Sequence, residues 1–440
     1  MPIKVTRQAL EFLGINPGVV SPASQGTLYP PILQNDWASQ VKVTTSWQTA
    51  ISRSPFTGTE QRDSLGSRPV RSVQTTFKGM SQAESTSVQM SLMSMMGVPG
   101  SKQGVPFPIY SDFAITKNQL GSTETLISCD TIHKRFYIGQ RIALVNPYHA
   151  RAEYSGVKAY ATYAIVKNIS FDSIEIEDPI GEVLPLGSIV YPLIDCLPSL
   201  SMNTQLVTDY YSEATITATE KDAGSTLPPT WIGEIDQYFD YHEGYPIFDF
   251  VPNYASTVTQ GYIRYGRSNS TGRSTTVSLN EDKPVLTYSF SDLNTSREEA
   301  WQLLQFFDSR RGRALPFWTV QPLTTWKALD ITTSSITVPD YDYRANIGTY
   351  ISHVAIIDHS DKVYIKSIEN ISAVGDSFVL GFPVNEEFST VPTVKRVAPA
   401  WLARFASDTL DQSWITDHHQ TSDITIEQLS EEKSVSVTNL

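Results

Sequence analysis

Short stretches in which apolar and polar residues alternate recur along this chain, and such a period of two predicts strands. One runs from Val73 to Phe77 and another from Leu286 to Phe290. Similar runs at 41–43, 47–51, 125–129, 141–145, 159–169, 173–177 and 188–191 are separated by turn residues such as Gly139 and Gly187. The pattern predicts a mainly β protein built from many short strands.

Helical spacing follows each of the two leading strands. After Phe290, the candidate caps are Asn294, Thr295 and Ser296, with Glu298 and Glu299 three residues after the last two. The spacing of the next apolar residues predicts one buried helix face. Those residues are Ala300, Leu303, Leu304 and Phe307. After Phe77, Ser81 and Glu84 have the same capping pattern, and a helix-period run ends at Gly97.

The order of these features suggests an internal duplication. Phe290 follows Phe77, and Asn294 follows Ser81, by the same number of residues. Colinear similarities continue on both sides, and chance matches between strand-rich segments would not keep order and spacing over such a length. The pairs are Leu28–Pro30 with Gly244–Pro246, Arg141–Val145 with His353–Ile357, Val166–Ile169 with Ile365–Ile368, and Phe171–Ile174 with Gly375–Phe378.

We therefore predict two duplicated halves, each a β-sandwich with one packed helix plus an inserted small β-barrel. A strand at Thr215–Thr219 is expected to return to the first sheet. The predicted divisions are an N-terminal arm (1–27), a first sandwich and helix (28–116), a first barrel with its return strand (117–220), a linker (221–243), a second sandwich and helix (244–325), a second barrel with its return strand (326–414), and a polar C-terminal tail (415–440). Within the tail, Thr421–Glu432 could form one last strand or stay loose.

Composition agrees with a globular protein and argues against some partners. The chain has 440 residues, 40 % apolar, 18 % charged and 11 % aromatic, and a net charge of −13. Nucleic-acid binding needs clustered lysine and arginine, so we expect no nucleic-acid partner. The basic run Arg310–Arg313 is too short to change this and is typical of a solvated turn or a salt-bridge donor.

The cysteines and the N-terminus bear on compartment. Only Cys129 and Cys196 occur, and neither is part of a CxxC pair, so we expect two buried free thiols, with one disulfide as the alternative. The N-terminal residues lack a signal-peptide core and no apolar run reaches membrane length, so we expect synthesis in the cytoplasm without membrane insertion.

No catalytic motif stands out. The adjacent pair His418–His419 lies in the predicted polar tail, where a solvated pair is expected rather than a zinc site, and we expect neither metal nor other cofactor. Glycosidase carboxylates could come from Asp236, Asp240 and Glu243, or from Asp340 and Asp342, but sequence cannot place two of them at catalytic separation. The expectation is that the chain is not an enzyme.

Several aromatic residues could contact a ligand or another protein. Sugar rings stack on such side chains, but β-sandwich cores and subunit interfaces also concentrate tyrosine and tryptophan, and the second interpretation is favoured. The residues are Trp318, Trp326, Tyr341 and Tyr343, and the segment Tyr238–Tyr241.

Two blocks of the sequence resemble a known family. Tyr29-Pro-Pro-Ile, Trp47, Ser54, Thr57-Gly58-Thr59-Glu60-Gln61-Arg62 and Arg68-Pro69-Val70-Arg71 resemble the opening of a group of tailed-bacteriophage tail proteins, and Arg311-Gly312-Arg313-Ala-Leu-Pro316-Phe317-Trp318 is similar to their second block. The chain departs from the family pattern at Tyr29, where tryptophan is usual, and at Ser270–Arg273, which replaces the Gly-x-Glu-Gln-Arg signature in the second half.

The resemblance implies a structural virion protein of the distal tail or baseplate hub. Such a protein forms a homo-oligomeric ring and joins the tail tube to the tip or fibres. The turns and ring contacts are then expected at Thr57, Gly58, Glu60, Arg62, Arg68, Arg71, Arg310, Arg311, Gly312, Arg313 and Trp318, although these residues could equally brace each helix on its own sheet. Two other hypotheses are a host-surface carbohydrate-binding protein and a polysaccharide hydrolase.

Overall fold

Strands dominate the structure. The structure is a computed structural model that describes residues 32–33, 37, 39–53, 60–66, 68–79, 86, 105–146, 158–159, 161–196, 201–208, 211–221, 239–250, 252, 257–263, 266–270, 275–279, 285–323, 325–339 and 351–429. Within these ranges the chain forms 31 strands, one 13-residue α-helix and two short 3-10 turns. The chain is therefore a mainly β protein with several sheets, as its alternating pattern predicts.

Residues 32–221, called the N-terminal segment below, contain the first fifteen strands and the 3-10 turn Tyr110–Asp112. The strands are β1 (Ile32–Leu33), β2 (Val41–Ser46), β3 (Thr49–Arg53), β4 (Glu60–Ser64), β5 (Val70–Gly79), β6 (Val105–Pro108), β7 (Ala114–Ile115), β8 (Leu126–Ser128), β9 (Arg141–Val145), β10 (Lys158–Ala159), β11 (Ala161–Ser170), β12 (Ser173–Ile176), β13 (Ile189–Cys196), β14 (Ser201–Leu206) and β15 (Ser212–Thr219).

Residues 239–429, called the C-terminal segment below, contain the remaining strands, helix α1 (Arg297–Ser309) and the 3-10 turn Val384–Glu386. The strands are β16 (Tyr241–His242), β17 (Tyr245–Phe248), β18 (Thr259–Ile263), β19 (Gly266–Ser270), β20 (Thr275–Leu279), β21 (Val285–Asn294), β22 (Phe317–Val320), β23 (Asp330–Ile331), β24 (Ser335–Pro339), β25 (His353–Asp358), β26 (Val363–Ser367), β27 (Asn370–Val374), β28 (Ser377–Gly381), β29 (Val394–Phe405), β30 (Thr409–Trp414) and β31 (Gln420–Gln428).

A long strand is central to each segment. β5 lies between β2 and β15, with Val73 opposite Val43 on one side and Ala218 on the other. Alternate side chains point to one face of a strand, so Val73, Thr75 and Phe77 are all buried. β21 pairs antiparallel with β18 and β31 in the same manner. The predicted return of residues 215–219 to the first sheet is confirmed by the pairing of β15 with β5.

A second group of strands accompanies each long strand. In the N-terminal segment the order is β6, β13, β9, β11, β12, β8, and β11 is long enough to pair first with β9 and then with β12. In the C-terminal segment β29 pairs with β22 and β25, and β25 pairs with β26. β27 then pairs with β28, and β28 pairs with β24. The two pairings that β11 makes in the N-terminal segment are therefore made by two strands here, because β26 pairs with β25 and β27 pairs with β28.

The two segments share one sheet of 14 strands. β2 of the N-terminal segment pairs antiparallel with β30 of the C-terminal segment, from Val41 opposite Trp414 to Ser46 opposite Thr409. β30 in turn pairs with β31. The pairing of β2 with β30, which are far apart in sequence, makes the sheet continuous between the two segments.

Helix α1 begins where its sequence predicts. The Ser296 hydroxyl accepts a hydrogen bond from the backbone N–H of Glu299, and the Glu299 carboxylate accepts one from the backbone N–H of Ser296. This capping box satisfies donors that the first helical turn leaves without partners. The predicted apolar face is buried, and Phe306 adds to it. Of the helix predicted at 81–97, Thr86 is helical, whereas the other positions lie outside the described residues.

Each segment contributes to the core of the other. The core around Val43, Val73 and Phe77 includes Ala300 and Trp414 of the C-terminal segment. A second, aromatic core contains Phe248, Phe290, Phe306, Phe317 and Phe405, and it includes Trp47 of the N-terminal segment. Removing either segment would therefore expose apolar surface on the other, which favours their folding together.

Neither expected barrel is seen as a closed ladder among the described strands. In the N-terminal segment the order of paired strands ends at β8, which has three residues. A single bridge joins Cys129, directly after β8, to Thr116, directly after β7. In the C-terminal segment β23, β24, β28 and β27 form a separate sheet of four strands. Strands this short supply too few consecutive backbone pairs for a continuous ladder.

Part of the predicted polar tail is a strand, which is the alternative left open for Thr421–Glu432. Residues 420–428 form β31, which pairs with β21, β29 and β30, and Ile424 and Ile426 are buried. The polar residues Gln420 and Ser422 are buried as well, so the polar composition of this stretch does not reflect exposure to solvent. The predicted arm and residues 222–238 of the predicted linker lie outside the described residues, as do residues 430–440.

Candidate functional site

The junction between the two segments gathers several of the residues singled out from sequence. The β3–β4 hairpin of the N-terminal segment meets the turn after α1 and the loop that precedes β30. Arg62 lies on the hairpin, whereas Arg311, Gly312 and Arg313 form the turn. The junction thus unites the two sequence blocks that carry the family resemblance.

Asp408 is the polar centre of this junction. Its Oδ2 accepts hydrogen bonds from Arg313 Nε at 3.0 Å and from the backbone N–H of Thr49 at 3.2 Å. Its Oδ1 accepts them from Thr49 Oγ1 at 2.7 Å and from the backbone N–H of Arg313 at 3.2 Å. The backbone carbonyl of Asp408 accepts from the N–H of Trp47 at 2.8 Å. One carboxylate therefore holds the start of β3 to the turn after α1.

The turn after α1 depends on left-handed backbone. Arg311 has φ 52° and Gly312 has φ 64°, a region that ends many helices because it lets backbone N–H groups reach the last carbonyls. The N–H of Gly312 accordingly donates to the carbonyl of Phe307 at 3.2 Å. A Cβ on Gly312 would lie 2.9 Å from Asp408 Oδ1 and 3.1 Å from the Cβ of Trp47. Glycine is required here for close approach as well as for φ.

Arg62 and Trp47 add contacts from the N-terminal segment. Arg62 donates from Nη1 to the carbonyl of Arg313 at 3.2 Å, and its Nη2 lies 3.8 Å from the carboxylate of Glu427 on β31. The Trp47 indole donates from Nε1 to Asp308 near the end of α1 at 2.9 Å. Burial raises the pKa of Asp308 to about 6. The hairpin is therefore held by charged and indole groups rather than by apolar contact alone.

A buried charged network lies deeper in the junction. The Asp112 carboxylate forms ion pairs with Arg135 and with Arg297, and the nitrogen–oxygen distance is 3.5 Å in each pair. Arg135 Nη2 donates to the Gln412 side chain at 2.5 Å, and the Arg297 guanidinium lies 4.9 Å from the ring centre of Trp414. Burial lowers the pKa of both arginines, which Asp112 opposes.

This network joins the 3-10 turn at Tyr110–Asp112 to α1 and β30. Arg297 also donates to the carbonyl of Ser111, and Gln412 Nε2 donates to the carbonyl of Ala300 at 3.3 Å. Buried charges need partners, so the network fixes how the segments meet. Sequence analysis missed these residues. A signal was present at Asp112, a lone acidic residue within an otherwise uncharged run from Val105 to Ile115.

Arg68 and Arg71 lie away from the Asp408 junction and approach the carboxylate of Glu220. Arg71 donates to Glu220 from Nε at 3.0 Å and from Nη2 at 2.8 Å, and Arg68 lies 3.8 Å from the same carboxylate. Burial would raise the pKa of Glu220, but the charge of Arg71 and its hydrogen bonds outweigh burial and lower that pKa. The same partner raises the pKa of Arg71 against the effect of burial. These arginines therefore brace β5 against the end of β15.

The remaining candidates are dispersed. Thr57 and Gly58 lie outside the described residues, and the backbone of Glu60 pairs with Arg53 in the hairpin. Arg310 donates from Nη1 to the carbonyl of Pro316 at 3.2 Å, within the turn. Trp318 is only 4 % exposed, and its indole donates to the carbonyl of His242 at 3.0 Å. Its contacts lie inside the C-terminal segment.

One group of side chains has the chemistry to bind a metal. His242, Glu243 and His353 place one donor atom each within 4.8 Å of one another. Ser352 Oγ lies 2.9 Å from His353 Nδ1, and His353 Nε2 lies 3.8 Å from Glu243 Oε1. Burial lowers the pKa of His242 and so favours its neutral form. Structural zinc sites in proteins use four protein ligands, whereas catalytic zinc sites use three and leave the fourth position to water, so two histidines and one glutamate match the ligand types of the second kind.

The residues considered for carbohydrate chemistry do not converge among the described residues. Trp318 and Trp326 are buried, while Tyr341 and Tyr343 lie outside the described residues. Asp240 lies 3.8 Å from Lys362, and Asp236 is also outside the described residues. A pocket lined by Phe248, Asp249 and other residues offers about 20 Å³ of space, which suits a single water rather than a sugar ring.

The fold and the junction define a mainly β chain whose two segments are joined by a shared sheet and a buried charged network. Comparison with protein-family models and with curated proteins found no match to the chain. No helix among the described residues combines the length and apolarity that crossing a membrane requires.

Proposed function

We propose that this chain is a structural component of a bacteriophage tail, of the distal-tail or baseplate-hub type. In this proposal the protein forms a closed homo-oligomeric ring that joins the tail tube to the tip or fibres, and it performs no catalytic turnover. The sequence resemblance at Thr57–Arg62 and Arg311–Trp318 is one support. The observation that carries the proposal is a repeated pattern of strand pairing.

The repeat extends to the register of the second strand group. Leu193 lies opposite Pro108, and two residues earlier on β13 Tyr191 lies opposite Ala143. Ala400 lies opposite Val320, and two residues earlier on β29 Ala398 lies opposite Ala355. Ala143 follows Pro108 by as many residues as Ala355 follows Val320, so the two groups share their register.

The long strands repeat in the same way. Phe77 lies opposite Ala214, and four residues earlier on β5 Val73 lies opposite Val43. Phe290 lies opposite Ile424, and four residues earlier on β21 Leu286 lies opposite Tyr262. This agreement supports two copies of one ancestral module, each made of a sheet, a helix and a small barrel-like group.

A duplicated module suits a ring. A chain with two similar modules presents two similar surfaces, so a ring of few chains can match a ring with twice as many positions. The net charge of −13 would favour solubility before assembly. The four hydrogen bonds to the Asp408 carboxylate and the buried network at Asp112 would hold the two modules in one relative orientation, as a ring requires.

Electron microscopy of the purified full-length chain tests the proposal. We expect closed rings by negative stain, with a defined mass by native mass spectrometry, and antibody label at the distal end of tails in particles of the parent phage. A chain that stays monomeric at all concentrations and does not label particles would overturn the proposal. Hydrolysis of a polysaccharide that is lost in Asp240→Ala would favour the enzymatic alternative instead.

A further inference from the structure

Two strand edges lack the partner that their counterparts have. β2 pairs on one side with β5 and on the other with β30. β18 occupies the position of β2 beside β21, yet β21 is its one strand partner in the described part of the chain. β14 occupies the position of β30 beside β15, and there too a single partner strand is described. The chain thus forms one junction of this kind, between β2 and β30, and β14 and β18 are the two strands that could form a second.

Side chains at these edges are exposed where their counterparts are covered. Val43 lies opposite Val73 and is 0 % exposed, whereas Tyr262 lies opposite Leu286 and is 65 % exposed. Val207, which directly follows β14, is 53 % exposed. Open strand edges with apolar side chains tend to pair with other chains unless something covers them.

We infer that the β14 edge of one copy pairs antiparallel with the β18 edge of the next copy, reproducing between chains the β2–β30 junction found within the chain. The inference rests on the proposed function and deepens it by naming the partner surface. A second copy is the fitting occupant because the two open edges are the complementary members of a pair that this chain already forms. The contact is head to tail, so it closes into a ring when the rotation between copies permits.

The register of the contact follows from the junction within the chain. On β30 and β31, Gln412 lies opposite Ser422, which is two residues before the partner of Phe290. On β14 and β15, Leu206 lies opposite Ser212, which is two residues before the partner of Phe77. Leu206 therefore corresponds to Gln412. Ser413 therefore corresponds to Val207.

The other strand is aligned through the long strands. Val43 and Tyr262 correspond because their partners Val73 and Leu286 correspond, so Lys42 corresponds to Gly261. Lys42 lies opposite Ser413 in the junction within the chain. The inferred contact therefore places Gly261 of one copy opposite Val207 of the next.

Cysteine cross-linking tests this register. Opposed residues of antiparallel strands lie about 4.5–5.5 Å apart at Cα, within disulfide reach. The full-length Gly261→Cys, Val207→Cys double variant should form a ladder of covalent multimers on mild oxidation. The control Gly261→Cys, Gln205→Cys moves one thiol two residues along the strand, about 7 Å, and should not. The native Cys129 and Cys196 are buried and add little background.

Gly261→Cys needs a small adjustment, because its Cβ would lie 3.3 Å from Thr287 Oγ1. The adjacent pair Gln260→Cys, Thr208→Cys provides a second test of the same register. Mass spectrometry of the cross-linked peptides confirms which residues are joined. Cross-links in the Gly261, Val207 and Gln260, Thr208 variants, with none in the control, support the inference.

A charge placed on the edge gives an independent measurement. Tyr262→Lys should weaken self-association at least about tenfold, since the counterpart Val43 is fully buried in the junction and a charge without a partner is costly there. The matched variant Phe171→Lys changes an aromatic residue that is 80 % exposed on the β11–β12 turn and should leave association unchanged. Sedimentation velocity measures both.

The contrary outcomes are distinct. Rings that persist without the Gly261–Val207 cross-link, or that link Gly261 to Gln205, would overturn this contact and leave the proposed ring intact. Homotypic cross-linking of the single variant Gly261→Cys would also overturn it, because that requires β18 to face β18. A chain that neither cross-links nor associates at any concentration would overturn the contact together with the proposed function.

Discussion

Gly312 offers a direct test of how closely the two segments approach. The Gly312→Ala variant adds one methyl group at φ 64°, where its Cβ would lie 2.9 Å from Asp408 Oδ1, 3.1 Å from Asp408 Cα and 3.1 Å from the Cβ of Trp47. Two of these atoms belong to the backbone or lie next to it, so rotation of a side chain cannot relieve the overlap. Asp408 must move, and it carries the hydrogen bonds that hold Thr49 and Arg313.

Gly375 separates the two costs of this substitution. Its φ of 61° nearly equals that of Gly312, but a Cβ there meets nothing within 4 Å. The left-handed backbone costs an alanine about 1–2 kcal/mol at either position. Overpacking adds about 1–3 kcal/mol at Gly312 alone. We expect Gly312→Ala to destabilise the protein by about 2–5 kcal/mol and Gly375→Ala by about 1–2 kcal/mol.

Two assays measure this difference. Urea unfolding followed by tryptophan fluorescence compares the midpoints, and hydrogen exchange with mass spectrometry locates the effect. Gly312→Ala should speed exchange in the peptides that contain β2 and β30, whereas Gly375→Ala should affect only the β27–β28 hairpin. Equal destabilisation by the two variants, or unchanged exchange in β2 and β30, would refute the close approach of the segments at this turn.

Three further predictions concern buried titratable groups. Glu220→Gln leaves Arg71 buried without a charged partner and should cost about 3–5 kcal/mol in urea unfolding; the exposed pair Lys167–Glu175 is the control, since Glu175→Gln should leave the urea midpoint nearly unchanged. Burial raises the pKa of Asp292 to about 6 from 3.8, so the folded state holds this proton more tightly than the unfolded chain and stability should rise as pH falls from 7 to 4. At 1.36 kcal/mol per pKa unit, the contribution of this carboxyl between pH 7 and pH 4 is about 2 kcal/mol, and Asp292→Asn should remove it; an unchanged pH slope would contradict the assignment. Burial raises the pKa of the Cys129 thiol to about 12 and also raises that of Cys196, so neither thiol should react with a maleimide at pH 7 until the protein is denatured; rapid labelling of the native chain would contradict their burial.

Local sequence signals identified much of the secondary structure. The strand predicted at Arg141–Val145 coincides with β9. The buried face of α1 was also predicted correctly, and Ser296 with Glu299 is one of the two capping pairs that the sequence offered. These features depend on periodicity and on hydrogen bonds between residues that are close in sequence, so the chain specifies them locally.

The junction could be foreseen only in part. Arg62 and Arg313 were singled out, but nothing in the sequence indicates that the Arg62 guanidinium donates a hydrogen bond to the backbone carbonyl of Arg313. Asp408 was missed because a lone aspartate before a strand is ordinary in a loop. Gln412 and Gln420 resemble the solvent-facing positions of an amphipathic strand, although both are buried.

The sequence by itself determined where many of the strands and helix α1 form, which apolar residues face inward along them, and which stretches resemble each other. Only the tertiary structure decided that β2 pairs with β30, that β31 lies within the shared sheet, and that Arg135 and Arg297 meet at Asp112. The physical reason is that backbone pairing between strands carries little residue-specific information. A buried polar side chain is tolerated when a distant partner satisfies it, and the fold alone supplies that partner.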